Sequence, residues 1–178
     1  MKKPILIFLI CLAVVNNLFS SQVSEFNLKG AFLYHFLFFV EWPDELFTGS
    51  NSINIGILGA PTYADILKKI KKDEKIDGKE IMVNIFQKDV SIDSMKKCHL
   101  LFIDSSFGVN IGNLLRSISN YPVLTVSDAR NFGEMGGMIA LLLNKESMKF
   151  EINRAAAERV GIKFRSRLLR LAVRIIGE

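Results

Sequence analysis

Two short polar clusters hold the side chains best suited to chemistry: Asp104-Ser105-Ser106, directly after the apolar run Leu100–Ile103, and Ser127-Asp128, closing the run Val123–Ser127. Paired carboxylates flanked by hydroxyls suit a polar small molecule. Ligands of open parallel sheets sit beyond the carboxyl ends of the strands. Asp104, Ser105, Ser127 and Asp128 are therefore the candidate ligand-binding residues, with Gly59 and the loop Gly133–Gly137 expected nearby. The competing reading is structural, because Asp, Ser and Gly cap helices and turn chains in such loops. Catalysis has little support. A Ser or Cys nucleophile needs a base within reach, and the only histidines are His35, in an apolar helix pattern, and His99 beside Cys98. Neighbours in a strand face opposite sides, so Cys98 and His99 make a poor dyad. These residues also give no zinc-ligand spacing. Neither GxGxxG nor GxxxxGK[ST] occurs. No catalytic residue, metal ligand or cofactor is assigned, and the chain reads as a protein that is not an enzyme.

A third constellation is basic. Lys163, Arg167, Arg170 and Arg174 fall at i, i+4, i+7 and i+11, with Phe164, Leu168, Leu171 and Ile175 one position later. On a helix Ser166–Ile176 this spacing sets a cationic ridge beside an apolar stripe. Arg165 lies off the ridge and is free to turn towards a partner. Such a ridge suits an acidic protein surface or anionic headgroups, although cations near a helix C-terminus also serve the macrodipole. Arg165, Arg167, Arg170 and Arg174, together with Glu151 and Asn153 beside the hairpin expected of residues 138–152, are the candidate partner-binding residues.

The elements that must position these groups alternate in type. Residues 29–43 place six aromatics in fifteen positions and end at Trp42-Pro43. Leu33, Phe36, Leu37 and Val40 keep the helical rhythm, which predicts a helix Asn27–Val40. Strands are expected at Ile53–Leu58, Ile81–Gln87, Leu100–Ile103 and Val123–Ser127. Helices are expected at Tyr63–Lys71, Asp93–Lys97 and Ile111–Ser119. Met138–Leu143 and Met148–Ile152 flank the polar turn Asn144-Lys145-Glu146-Ser147 and read as a hairpin. Asn153 reads as the cap of a helix that ends at Gly161. The pattern predicts one α/β domain: a mostly parallel sheet of five to six strands, helices on both faces, and a C-terminal antiparallel hairpin.

The ordered set of segments resembles the YfiR-like family of small exported proteins. Lys29-x-Ala31-Phe32-Leu33-x-x-Phe36-x-x-Phe39-Val40-x-Trp42-Pro43 carries the first match. Ile53–Gly59, Cys98–Ile103, Val123–Asp128, Phe132 through Gly136-Gly137-Met138-Ile139, Lys149–Asn153 and Ser166–Ala172 follow in order. The resemblance implies a periplasmic regulator. Such a protein binds the sensor region of an inner-membrane signalling protein such as a diguanylate cyclase, represses its output, and is itself sequestered by an outer-membrane lipoprotein. The family often carries disulfide pairs, and Cys98 stands where one half-cystine is expected. Here it has no partner in the mature chain. It reads either as a buried small hydrophobe or as a reactive thiol.

The rest of the chain agrees with export. Lys2 and Lys3, an apolar core Ile5–Val15 and Ser20-Ser21 follow the order of a cleavable signal peptide, which divides the chain into a leader 1–21 and a domain 22–178. The formal net charge of +5 falls to +3 without Lys2 and Lys3, and the segment Met148–Glu178 alone holds +5. A basic end on a mildly acidic body does not suit nucleic acid, which favours a broad basic face. Two further readings stay open: a periplasmic small-ligand sensor and an envelope-assembly role. The phenylalanine-rich helix and lone thiol leave a homodimer open as well.

Overall fold

The computed structural model describes residues 25–71, 75–143 and 147–177. The expected leader 1–21 and most of the expected hairpin turn lie outside these residues. The aromatic run begins as helix α1 (residues 25–36) and buries Leu33, Tyr34, Phe36 and Leu37. The sequence pattern extended this helix to Val40, but the chain leaves the helix after Phe36. Val40–Glu41 is instead strand β1, paired antiparallel with Lys163–Phe164, which is β8. The N–H of Arg165 also donates to the Phe39 carbonyl at 2.9 Å. These partners take backbone groups that another helical turn would have used.

Seven strands form the main sheet: β2 (Ser52–Leu58), β3 (Glu80–Ile85), β4 (Leu100–Ile103), β5 (Leu124–Ser127), β6 (Ile139–Leu143), β7 (Met148–Asn153) and β9 (Arg174–Ile176). Their order is β3-β2-β4-β5-β6-β7-β9. Every neighbouring pair is parallel except β6–β7, the expected hairpin. The helices are α2 (Thr62–Lys71), α3 (Ile92–Met95), α4 (Ile111–Ile118), α5 (Arg154–Glu158) and α6 (Ser166–Leu171).

Period-two alternation divides the apolar strands between two cores. Ile53, Ile55, Ile57, Leu100, Phe102, Leu124 and Val126 join the core that takes α1, Tyr63 and Leu67 of α2, Ala156 and Ala157 of α5, and Leu168 of α6. Leu58, Leu101 and Ile103 face the other core, with Met95 of α3 and Leu114, Leu115 and Ile118 of α4. Strands covered on both faces read as continuous apolar runs, which is why Leu100–Ile103 was visible in the sequence. Phe36 meets Phe150 edge-on at 5.3 Å between ring centroids and anchors α1 over the hairpin. Helix α1 approaches α2 at Gly30, where a Cβ would lie 2.5 Å from Ile66 Cγ2.

The C-terminus departs most from the sequence pattern. The expected helix Ser166–Ile176 ends at Leu171, and the chain turns into β9 beside β7. The Ala172 N–H closes the last helical turn on Leu169, and the Val173 N–H donates to the Phe150 carbonyl at 3.0 Å. Val173, Ile175 and Ile176 are β-branched and suit a strand, and the exposed edge of β7 supplies hydrogen bonds that another helical turn would have to match. The sheet therefore gains a seventh strand, and Lys163 and Arg174 do not share a helix with Arg167 and Arg170.

Candidate functional site

The connections from β2 and β4 lead to opposite sides of the sheet, which puts its switch point beyond Leu58 and Ile103. The four candidate ligand residues meet there. The Ser105 N–H donates to Asp128 Oδ1 at 2.8 Å. Ser127 Oγ donates to the Ile103 carbonyl at 2.6 Å and accepts the Ala129 N–H at 3.1 Å. Asp104 Oδ1 accepts the N–H and the hydroxyl of Ser106, at 2.9 and 2.5 Å.

Two residues not singled out as site residues from the sequence complete the cluster. Tyr63, 0% exposed, donates its hydroxyl to Asp104 Oδ2 at 2.8 Å, and its ring packs over Gly59. Lys29 Nζ lies 2.6 Å from Asp128 Oδ2 and 2.6 Å from Glu25 Oε1, with only 5% of its side chain exposed. Burial alone would lower the Lys29 pKa, but the hydrogen bonds and charges of Asp128 and Glu25 outweigh it and hold the ammonium above its ordinary value. Burial would likewise raise Asp128. The Lys29 ammonium and the Ser105 N–H overcome that and hold the carboxyl below the usual range. Burial first, and then the Asp104 carboxylate, push the Tyr63 hydroxyl well above its ordinary value. The groups that sequence spacing offered to a ligand are thus paired with the protein's own donors, and Tyr63 fills the space over Gly59. The cluster pins α1 and α2 to the carboxyl ends of β4 and β5. Part of it was legible as the i,i+4 pair Glu25–Lys29.

The partner-binding candidates spread over one end of the molecule. Arg165 donates through Nε to Glu41 Oε1 at 3.2 Å, which joins the start of α6 to β1. Arg167 sits 6.0 Å from the centroid of the Phe39 ring, and Arg170 is exposed. Arg174, on β9, donates to Glu151 Oε2 at 2.8 Å and to the Glu134 carboxylate. Asn153 lies inside: its Oδ1 accepts the Ala156 N–H at 2.9 Å, and its Nδ2 donates to the Gly133 carbonyl at 2.8 Å. It caps α5 as the sequence predicted, and its side chain is spent doing so. Leu171 and Val173, 61% and 51% exposed, stand beside the arginines. Arginine is enriched where proteins bind proteins, and Leu171 and Val173 add exposed apolar area beside it. A cavity of about 330 Å³ between α5, β8 and α6 opens beside them, walled by Phe164, Leu169 and Ile162, with Lys163, Arg154 and Glu158 among its polar residues.

Cys98 is buried, its Sγ 3.7 Å from the Ser94 carbonyl, and burial pushes the thiol up to about 12. It packs as the small hydrophobe of the two readings. His99 is buried too: Nδ1 accepts the Asn54 N–H at 3.0 Å, and Nε2 has no hydrogen-bond partner. Nothing in the sequence marked this nitrogen, because Phe47, which stacks on the ring at 4.8 Å, lies far away along the chain. His35, by contrast, is exposed on α1. Among the described residues no group of three His, Cys, Asp or Glu side chains is placed to hold a metal ion, and no helix is long and apolar enough to cross a membrane.

Counted from β2, the parallel strands follow the order 2-1-3-4-5, and the antiparallel hairpin and β9 extend one edge. This defines a doubly wound α/β domain of flavodoxin-type strand order. The YfiR/HmsC-like family model (DUF4154) matches residues 26–173, and the chain belongs to that family. No curated protein matches it significantly. Among solved structures, a conserved domain protein from Vibrio cholerae O1 biovar El Tor str. N16961 is similar at 14% identity and a TM-score of 0.53, over 70% of this chain and 55% of that one. The ABC domain in complex with L-Trp from Streptococcus pneumoniae is similar at 15% identity and a TM-score of 0.52, over 74% of this chain and 60% of that one. The chain spans little more than half the length of either, and the likeness is one of fold.

Proposed function

We propose that this protein is a periplasmic regulator that works by docking. Its leader directs export, and the folded domain binds the periplasmic sensor region of an inner-membrane signalling protein, a diguanylate cyclase, and lowers its output. An outer-membrane lipoprotein is the expected competitor that relieves repression. The observation that carries this reading is the family match over residues 26–173. The exposed Arg167, Arg170, Leu171 and Val173 supply a surface of suitable composition. Arg165, Arg174 and Glu151 border it, and Asn153 supports it from within. A docking regulator shifts its receptor by no more than its affinity difference for the two receptor states. A swing from 99:1 to 1:99 asks for about 5.5 kcal/mol of preference. The small-ligand reading at Asp104, Ser105, Ser127 and Asp128 has less support, since those groups are already hydrogen-bonded within the fold. Deleting the gene should raise cellular cyclic-di-GMP and biofilm, and crosslinking in the envelope should capture a membrane sensor protein. Unchanged nucleotide levels in the deletion strain would remove the cyclase from the proposal.

A further inference from the structure

The strongest unexplained group in the fold is His99, which is 5% exposed. Its Nδ1 accepts a backbone N–H, so the ring proton sits on Nε2. That N–H is buried and donates to nothing. The turn 42–50 grips this residue twice: Trp42 Nε1 donates to the His99 carbonyl at 2.9 Å, and the Phe47 ring lies flat on the imidazole, 15° from parallel. Lys79 Nζ stands 4.4 Å from the centroid of that same Phe47 ring. We propose that His99 is a proton-operated latch for the turn carrying Trp42 and Phe47, closed while the imidazole is neutral and released when it takes a second proton.

The geometry gives the reason. Protonation turns Nδ1 into a donor, pointed at the Asn54 N–H only 3.0 Å away, and leaves the second N–H still without an acceptor. Among the described residues, the charged side chain that acts on the ring is Lys79, which repels the imidazolium. Phe47 also borders a cleft whose charged lining is mixed: Glu41, Asp44 and Asp77 with Lys79 and Arg165. The imidazolium therefore gains by leaving its pocket for water, and the Phe47 ring stacked on its face must move to let it out. Burial and Lys79 both hold the His99 pKa below its ordinary value, which places release on the acid side of neutral.

The latch is independent of the docking reading, and its test needs no partner. Trp42 is the single tryptophan, so its indole reports on this turn alone. In an NMR titration of the mature chain from pH 8 to 4.5, the His99 ring should titrate below the ordinary imidazole value of about 6.5. The Trp42 indole N–H should shift with the same midpoint, and tryptophan emission should move to the red, while far-UV circular dichroism stays constant. In His99→Gln the indole and emission transitions should vanish. An indole transition that persists in His99→Gln, a His99 that titrates at or above the ordinary imidazole value, or a titrating His99 with a silent indole would each overturn the proposal. If His99→Gln does not fold, Phe47→Leu serves instead. With the stack removed, its indole resonance at pH 8 should already sit near the acid position of the wild type, and a wild-type-like position would count against the latch.

Discussion

The cluster Glu25–Lys29–Asp128, built around the buried Lys29, makes the sharpest single-residue prediction. Lys29 and Asp128 are 5% and 14% exposed, so each relies on the other for its charge. Removing one partner of such a pair typically costs about 3–5 kcal/mol, because the charge left behind stays buried. Lys29→Met should therefore lower the urea midpoint strongly. Adding Asp128→Asn should recover much of the loss, since the amide oxygen can still accept the Ser105 N–H. The same pair sets an acid dependence. Asp128 is held below its ordinary pKa in the fold. It thus contributes stability that is fully present above the unfolded value of about 3.9 and is lost as pH falls through the lower folded value. Lys29, held above its ordinary pKa, keeps its contribution across that range and loses it only in strong base. Denaturation of the wild type between pH 5 and 2 should show this acid slope, and Asp128→Asn should flatten it. An identical slope in both would mean that the carboxylate is not tied to Lys29 in solution.

Among the elements, α5 depends on one residue. Asn153 is the last residue of β7, caps α5 through Oδ1 and holds the 131–136 turn through Nδ2. Losing a helix cap costs about 0.5–2 kcal/mol, and an orphaned buried carbonyl at Gly133 adds about 1–3 kcal/mol. Asn153→Ala should therefore cost about 2–4 kcal/mol in chemical denaturation. Asn153→Ser, which can still cap, should cost less, and equal losses would show that the cap is not what matters. The cap was legible in the sequence because capping is local: Asn153 stands two positions before the short alanine run Ala155-Ala156-Ala157. Leu100–Ile103 and α4 were legible for the same reason, their apolar spacing being a property of the segment alone. What the sequence hid is non-local. Lys29 and Asp128 are 99 residues apart and Tyr63 and Asp104 are 41 apart, so no spacing rule joins them. The strand β9 was read as helix because Arg170 and Arg174 keep helical spacing. The winning contact, the free edge of β7, lies more than twenty residues upstream.

At the scale of the molecule, charge and grease are arranged about the sheet rather than about a pocket. The segment Met148–Glu178 carries eight Lys or Arg against three Glu, and it builds the hairpin's second strand, α5, α6 and the β9 edge. The opposite edge is β3, followed by Lys88. A docking regulator whose partner meets the α6 end should lose binding when that end alone changes sign. Arg167→Glu with Arg170→Glu makes the change without touching the Arg165–Glu41 or Arg174–Glu151 pairs. Both positions are exposed, and surface substitutions of this kind usually stay within about 0.5 kcal/mol, so the melting temperature should hold. Rim charges act mainly on encounter. The double variant should thus associate more slowly with its captured membrane partner, most visibly at low salt, and should fail to lower cyclic-di-GMP in a deletion strain. Lys88→Glu, at the far edge, should behave as the wild type in both assays. A folded double variant that restores repression fully would move the docking surface away from α6, while equal loss in Lys88→Glu would make the effect one of net charge rather than of place.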